Sequence, residues 1–144
     1  MFDLSRYLPY LINRTGRKLA AIYGRELRNY GIDIQEWRVL AVLQSHGDQR
    51  LIDLAALTSI DVSTLSRLVT RMVGAGLAQR TRGARDGRSV QVSLTERSRR
   101  IVLQLVPKAR SVERAALNGM STDEVEQLKQ HLSRIQQNLG AVEP

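Results

Sequence analysis

The sequence has no cysteine, which excludes disulfides, thiolate metal sites and thiol redox sensing. Its two histidines, His46 and His131, stand far apart with no carboxylate pattern of ligand spacing around them, so no metal site is expected. Paired His–carboxylate motifs and Gly-rich phosphate loops are missing too, so the chain does not read as an enzyme and no cofactor is expected. Aromatic residues are few: one Trp, four Tyr and one Phe. No apolar run approaches the ~20 residues that span a bilayer. Met1 to Asn13 lacks the basic start and apolar centre of a secretory signal, so a cytoplasmic protein is expected. Acidic residues are also in short supply, 14 against 22 Lys and Arg, which leaves a net charge of +8. That excess favours nucleic acid or an anionic membrane surface as a partner, and by itself says nothing about fold.

The chain of 144 residues suits one domain with its own core. Helical patterning dominates. Between Leu4 and Tyr30, the residues Leu8, Leu11, Ile12, Leu19, Ile22, Tyr23 and Leu27 share one broad helical face, and Gly31 stops the helix. Asp33 with Glu36 has capping-box spacing and opens a second helix through Trp37, Leu40 and Leu43. A short helix is expected around Leu51 to Leu57, and Asp61 starts another that ends near Gly74. Then the period changes to two. Leu77–Arg82 and Ser89–Leu94 read as strands joined by a turn-rich loop, so the pair forms a β-hairpin with a basic tip. Thr95 opens a helix to about Leu117, which Pro107 is expected to kink or divide. Ser121 and Glu124 form a second capping box before a last helix to about Leu139.

The most informative segment is Asp61 to Ala75. At ~100° per residue, Leu65, Leu68, Val69, Met72 and Val73 gather on one side. Ser63, Thr64, Arg67, Thr70 and Arg71 lie opposite, with no acid among them. An ordinary solvated helix face usually mixes both charge signs. Between Arg67 and Arg100, by contrast, nine arginines face only Asp86 and Glu96, which localises nearly all of the chain's net charge. A helix with one apolar face to dock and short polar and Arg side chains outward suits the DNA major groove. The hairpin tip, with Arg85, Asp86 and Arg88, has the size and charge for a minor groove.

Gln35–Leu40, Asp53–Ala55, Ile60–Val69, Gly76–Leu77 with Arg80, and the hairpin pattern Arg82…Asp86-x-Arg88 followed by Ser93–Glu96 occur in one order. In these stretches the chain resembles the MarR family of bacterial regulators. The resemblance implies a mainly α, winged helix-turn-helix fold, a three-helix core plus a β-hairpin wing with N- and C-terminal dimerisation helices. The reading lobe would then be residues 33–95, flanked by dimerisation helices at 1–30 and 96–144. It also implies that Ser63, Thr64, Ser66, Arg67, Thr70 and Arg71 meet DNA from the recognition helix. Arg88 would be the wing arginine, Asp86 the acid that holds it, and Arg85 a further tip contact. Two departures stand out: the third helix opens at Arg50 without a Ser or Thr cap, and Ser98 replaces a glycine, a change expected to matter little.

The last helix carries Val125, Leu128, Leu132, Ile135 and Leu139 at the spacing of a helix–helix seam, which an intramolecular core helix would share. The resemblance favours a dimer that joins these residues with Leu8 and Leu11 of the first helix. On that helix Arg14, Arg17, Lys18, Arg25 and Arg28 form a basic stripe with Tyr7 and Tyr10. That stripe is either a solvated face or an anion site. Together with Trp37 and Arg38, the residues Tyr7, Tyr10, Arg14 and Arg17 are the candidate contacts for an aromatic-acid or acyl-CoA effector, as the resemblance implies. The expected function is a homodimeric, sequence-specific transcriptional regulator on a pseudo-palindromic operator, a repressor released by such a ligand. The alternative is an architectural DNA binder of low specificity without an effector.

Overall fold

The structure is a computed structural model that describes residues 1–83 and 89–141. These residues form two compact units, 1–110 and 111–144. Within the first, a 3-10 turn at Leu4–Arg6 precedes α1 (Leu8–Arg28). Helix α2 (Ile34–His46), the short strand β1 (Gln49–Arg50), α3 (Leu51–Thr58) and α4 (Val62–Gly74) follow. Strands β2 (Ala78–Arg82) and β3 (Val90–Leu94) then lead into α5 (Glu96–Ala116).

Asp33 and Glu36 close the expected capping box of α2, each carboxylate accepting the other residue's backbone N–H at 2.9 Å. The first helix is shorter than its apolar pattern. Tyr7 is extended, and the helix begins only where Pro9, which has no N–H to lose, fits the first turn. Helix α3 has no side-chain cap; instead Arg50 reaches forward to Asp53 at 2.7 Å. Helix α5 runs unbroken past Pro107, so the expected division does not occur. Proline removes the hydrogen bond to the Leu103 carbonyl, and both residues are exposed, where water can take that carbonyl.

The sheet has three strands in the order β1–β3–β2, all antiparallel. The hairpin β2–β3 was legible from its alternation, whereas β1 was not: two residues, Gln49 opposite Val92 and Arg50 opposite Gln91, carry no periodic signal. The core joins Leu27 of α1, Val39 and Leu40 of α2, Leu54 of α3, and Leu65, Val69 and Met72 of α4, with Val102 and Leu105 of α5, all 0% exposed. Val90, by contrast, is exposed at the outer end of β3, although it shares the period of Val92 and Leu94.

Ser98 corrects its expectation. It is fully buried, its N–H donates to Thr95 Oγ1 at 3.1 Å, and its hydroxyl accepts the Thr95 N–H at 3.0 Å. It therefore closes the N-terminus of α5, as Glu does in a capping box.

The second unit holds the end of α5, a turn in which Gly119 has φ +87°, and α6 (Thr122–Gly140). Its capping box, Ser121 with Glu124, forms as expected. Lys129 Nζ lies 2.9 Å from Glu113. Val125 and Ile135 are half-buried; Leu128, Leu132 and Leu139 are exposed. Among the described residues, no helix is long and apolar enough to cross a membrane.

Tyr23 ties α1 to α5 by donating its hydroxyl to the Leu105 carbonyl at 3.0 Å. Burial, with smaller contributions from Glu26 and Tyr30, pushes its phenol up to about 12. The folded state thus holds that proton more tightly than the unfolded chain does. Stability is intact below the ordinary phenol range near ~10 and falls as pH climbs towards the folded value. Tyr23→Phe should lose this slope, so the wild-type advantage in urea midpoint should shrink across that window; a constant difference would contradict the assignment.

Candidate nucleic-acid interface

Helices α3 and α4, joined by Ser59–Asp61, make a helix-turn-helix. The turn is sharp because Ser59 takes a left-handed conformation, φ +56°, its N–H and that of Ile60 both reaching the Ala55 carbonyl. Ile60 is buried and anchors it. Asp61 then caps α4, its carboxylate accepting the Ser63 hydroxyl at 2.7 Å and the Thr64 N–H at 2.9 Å. These bonds, the Ser63 hydroxyl first, lower the Asp61 carboxyl to about 2.

Leu65, Leu68, Val69 and Met72 are buried, and Val73 is half-buried, as the helical pattern requires. The opposite face is exposed but not uniform in chemistry. Arg67 is exposed and has no hydrogen bond or ion pair among the described residues. Thr70 donates to the Ser66 carbonyl at 3.0 Å and accepts from Arg80 Nη2 at 2.9 Å. Arg71, expected to be free, meets two acids of α2: Nη2 lies 3.1 Å from Asp33 Oδ2 and Nε 3.5 Å from Glu36 Oε1. Ser66 and Thr64 are half-buried beside this stripe.

The arginine surplus therefore has two populations. Arg71, Arg80, Arg97 and Arg100 are engaged within the protein, Arg97 on the Ala75 carbonyl at the end of α4 and Arg100 on Glu96. Arg67, Arg82 and Arg99 have no partner among the described residues. Sequence reasoning missed Arg80 and Arg97, because only the strand register and the approach of α5 bring them to α4. Arg85, Asp86 and Arg88 lie outside the described residues.

The candidate effector residues are not brought together within one chain. Trp37 packs edge-on against Tyr23 at 5.2 Å, and with Arg38 it lines an open cleft of about 460 Å³ beside Ala41, Val42, Leu57, Thr58 and Ser59. Tyr10 instead accepts from Arg14 at 3.1 Å, and Tyr7 packs on Phe2, with Arg17 exposed nearby. Tyr10 and Tyr23 are thirteen residue steps apart on the helix, about 20 Å along the axis of α1. Among the described residues, no group of His, Asp and Glu is placed to hold a metal ion.

A helix-turn-helix with an outward arginine and a hairpin beside it defines a winged-helix, DNA-binding protein. Residues 30–89 match the MarR family. The chain is 26% identical over 128 residues to the HTH-type transcriptional repressor IacR of Pseudomonas putida, covering 84% of this chain and 77% of that one. It superposes with a TM-score of 0.81 on a MarR family transcriptional regulator from Silicibacter pomeroyi DSS-3, 29% identical, covering 96% and 99% of the two chains. BpsR of Bordetella bronchiseptica shares the fold at a TM-score of 0.82 and 23% identity, covering 94% and 97%. The chain is therefore similar, over most of its length, to MarR family transcriptional regulators, and these relatives are regulators rather than enzymes.

The cap carries a direct test. Asp61→Ala should lower the melting temperature, whereas Asp61→Asn, which still accepts the Thr64 N–H, should retain most of it. Because the folded carboxyl lies below its unfolded value, the stabilisation is present above the ordinary carboxylate range. It is lost as pH falls towards about 2. An Asp61→Ala deficit that persists undiminished in acid would rule out the carboxylate as its source.

Proposed function

We propose that this regulator is a homodimeric repressor that reads a pseudo-palindromic operator through α4 and the hairpin wing, and is released by a small aromatic acid or its thioester. One observation carries the DNA reading: Arg67 is exposed and unpartnered on a helix whose opposite face is fixed in the core. A guanidinium so placed is ready for bidentate bonds to guanine, with Ser63, Thr64, Ser66 and Thr70 around it for phosphates and base edges. From the resemblance, Arg85, Asp86 and Arg88 at the wing tip add the minor-groove contact.

Dimerisation is supported by apolar side chains left bare in each unit: Leu8, Leu11, Ile12 and Ile22 on α1, and Leu128, Leu132 and Leu139 on α6. Repression has its support in the name of IacR. BpsR shows what the fold can do, since its DNA binding is regulated by 6-hydroxynicotinic acid. Here the cleft at Trp37 and Arg38 offers an indole, apolar walls and a guanidinium with no partner among the described residues, a chemistry suited to an aromatic carboxylate. Chromosomal DNA as the target places the protein in the cytoplasm.

Selection of duplexes from a randomised library supplies the DNA probe. The selected site should contain two half-sites about one helical turn, ~34 Å, apart. Arg67→Ala should relax its base preference, costing ~1–3 kcal/mol on the selected duplex and less on random DNA. A single half-site bound as tightly as the full site, or a uniform loss on all sequences, would favour the architectural alternative.

Trp37 is the chain's only tryptophan, so its emission reports on the cleft. Titration with 6-hydroxynicotinic acid and related aromatic carboxylates should quench it and release the selected duplex, and Arg38→Ala should weaken both. Unchanged release in Arg38→Ala and in the double variant Arg14→Ala, Arg17→Ala would eliminate these residues as the effector site.

A further inference from the structure

Resting on the DNA-reading role of α4, we propose that Arg71 is a positioning residue: it holds the recognition helix at one rotation by bridging the two acids that cap α2. The geometry divides the four carboxylate oxygens cleanly. Asp33 Oδ1 and Glu36 Oε2 accept the backbone N–H groups of the capping box. That leaves Asp33 Oδ2 and Glu36 Oε1, and both face Arg71, at 3.1 Å from Nη2 and 3.5 Å from Nε. The helix N-terminus thus presents a two-oxygen fork to a two-nitrogen fork.

Glu36 makes the contact consequential. It is 7% exposed, so its charge is largely withdrawn from water and favours an opposite charge beside it. Turning Arg71 fully towards DNA would take that charge away from Glu36 Oε1. Arg67 and Arg71 stand one turn apart, some 40° around the helix. Fixing Arg71 against α2 therefore fixes the direction of Arg67. A rotation of α4 by about 20° would swing a guanidinium near the outer radius of the helix by ~2 Å, far outside hydrogen-bond tolerance. The bond from Arg80 to Thr70 opposes the same rotation from the strand side.

The test uses the full chain, the duplex selected by the unaltered protein, and a random duplex, with affinity measured by fluorescence anisotropy over a salt series. Arg71→Gln should lower the ratio of selected to random affinity at least ~10-fold, while the salt dependence stays unchanged, because no phosphate contact is lost. Asp33→Asn, which keeps the cap but turns an amide towards Arg71, should lower the ratio similarly. The double variant should be no worse than either single one. Arg71→Lys, which keeps the charge but not the fork, should recover only part of the ratio. Thermal melts confirm that each variant is folded, and the Asp33→Asn arm stands even if Arg71→Gln is not. A salt slope reduced by about one charge on both DNAs, or full recovery by Arg71→Lys, would make Arg71 a phosphate contact and overturn the proposal. So would Asp33→Asn with an unchanged ratio. The DNA-reading role itself fails in a different way, with no preferred duplex selected or with Arg67→Ala indifferent to sequence.

Discussion

Everything distinctive about this protein depends on the burial of one helical face. Leu65, Leu68, Val69 and Met72 of α4 are buried, with α3 and β2 packed against the helix. Each such side chain contributes roughly 1.5–3 kcal/mol when taken from water. Together they decide which face of α4 turns inward, and the polar contacts around the helix set its rotation more finely. The opposite stripe, with Arg67 at its centre, has nowhere to go but outward. Direction comes from the apolar side of the helix, and chemistry from the polar side.

Around this constraint, polar contacts adjust rather than stabilise. Exposed ion pairs such as Arg100 with Glu96 are worth little energetically. The bonds to the ends and flank of α4 matter through geometry rather than energy, since Arg71 and Asp33 are themselves more than half exposed. Thr95 and Arg97 at the start of α5 take the Gly76 and Ala75 carbonyls, at 2.8 and 2.7 Å. Arg80 takes Thr70 from the strand side, and Arg71 meets the start of α2. A basic sequence thereby serves two purposes, one toward a polyanion and one toward the protein's own carbonyls and carboxylates. Net charge cannot separate them.

The proposed regulation would follow from placing a reader on one lobe and leaving apolar faces bare elsewhere. Leu8 and Leu11 on α1, and Leu128 and Leu132 on α6, are exposed at helical spacing. A single chain has no use for such rows in water. The cleft at Trp37 lies on α2, the helix whose capping box meets Arg71, so a ligand bound there would share one element with the DNA-reading helix's contacts without sharing residues. In the proposed dimer, a ligand would act only by favouring a state in which the two reading heads no longer match their sites.

The amino-acid sequence by itself determined the elements whose signals are local. Capping boxes at Asp33 and Ser121, the apolar stripe of α4 and the two strands of the hairpin all depend on residues within a few positions of one another, and all form, although the alternation of β3 fails at Val90 and Ser93. Of the kink or division expected at Pro107, the division does not occur, because one hydrogen bond lost on the exposed side of a long helix is cheaper than a break. The sequence misjudged Ser98, whose importance lies in a cap it completes. Which arginines are free was decided by tertiary structure alone. Arg71, Arg80 and Arg97 look identical to Arg67 along the chain, and only the approach of α2, β2 and α5 determines whether a guanidinium finds a carboxylate, a hydroxyl, a carbonyl, or nothing.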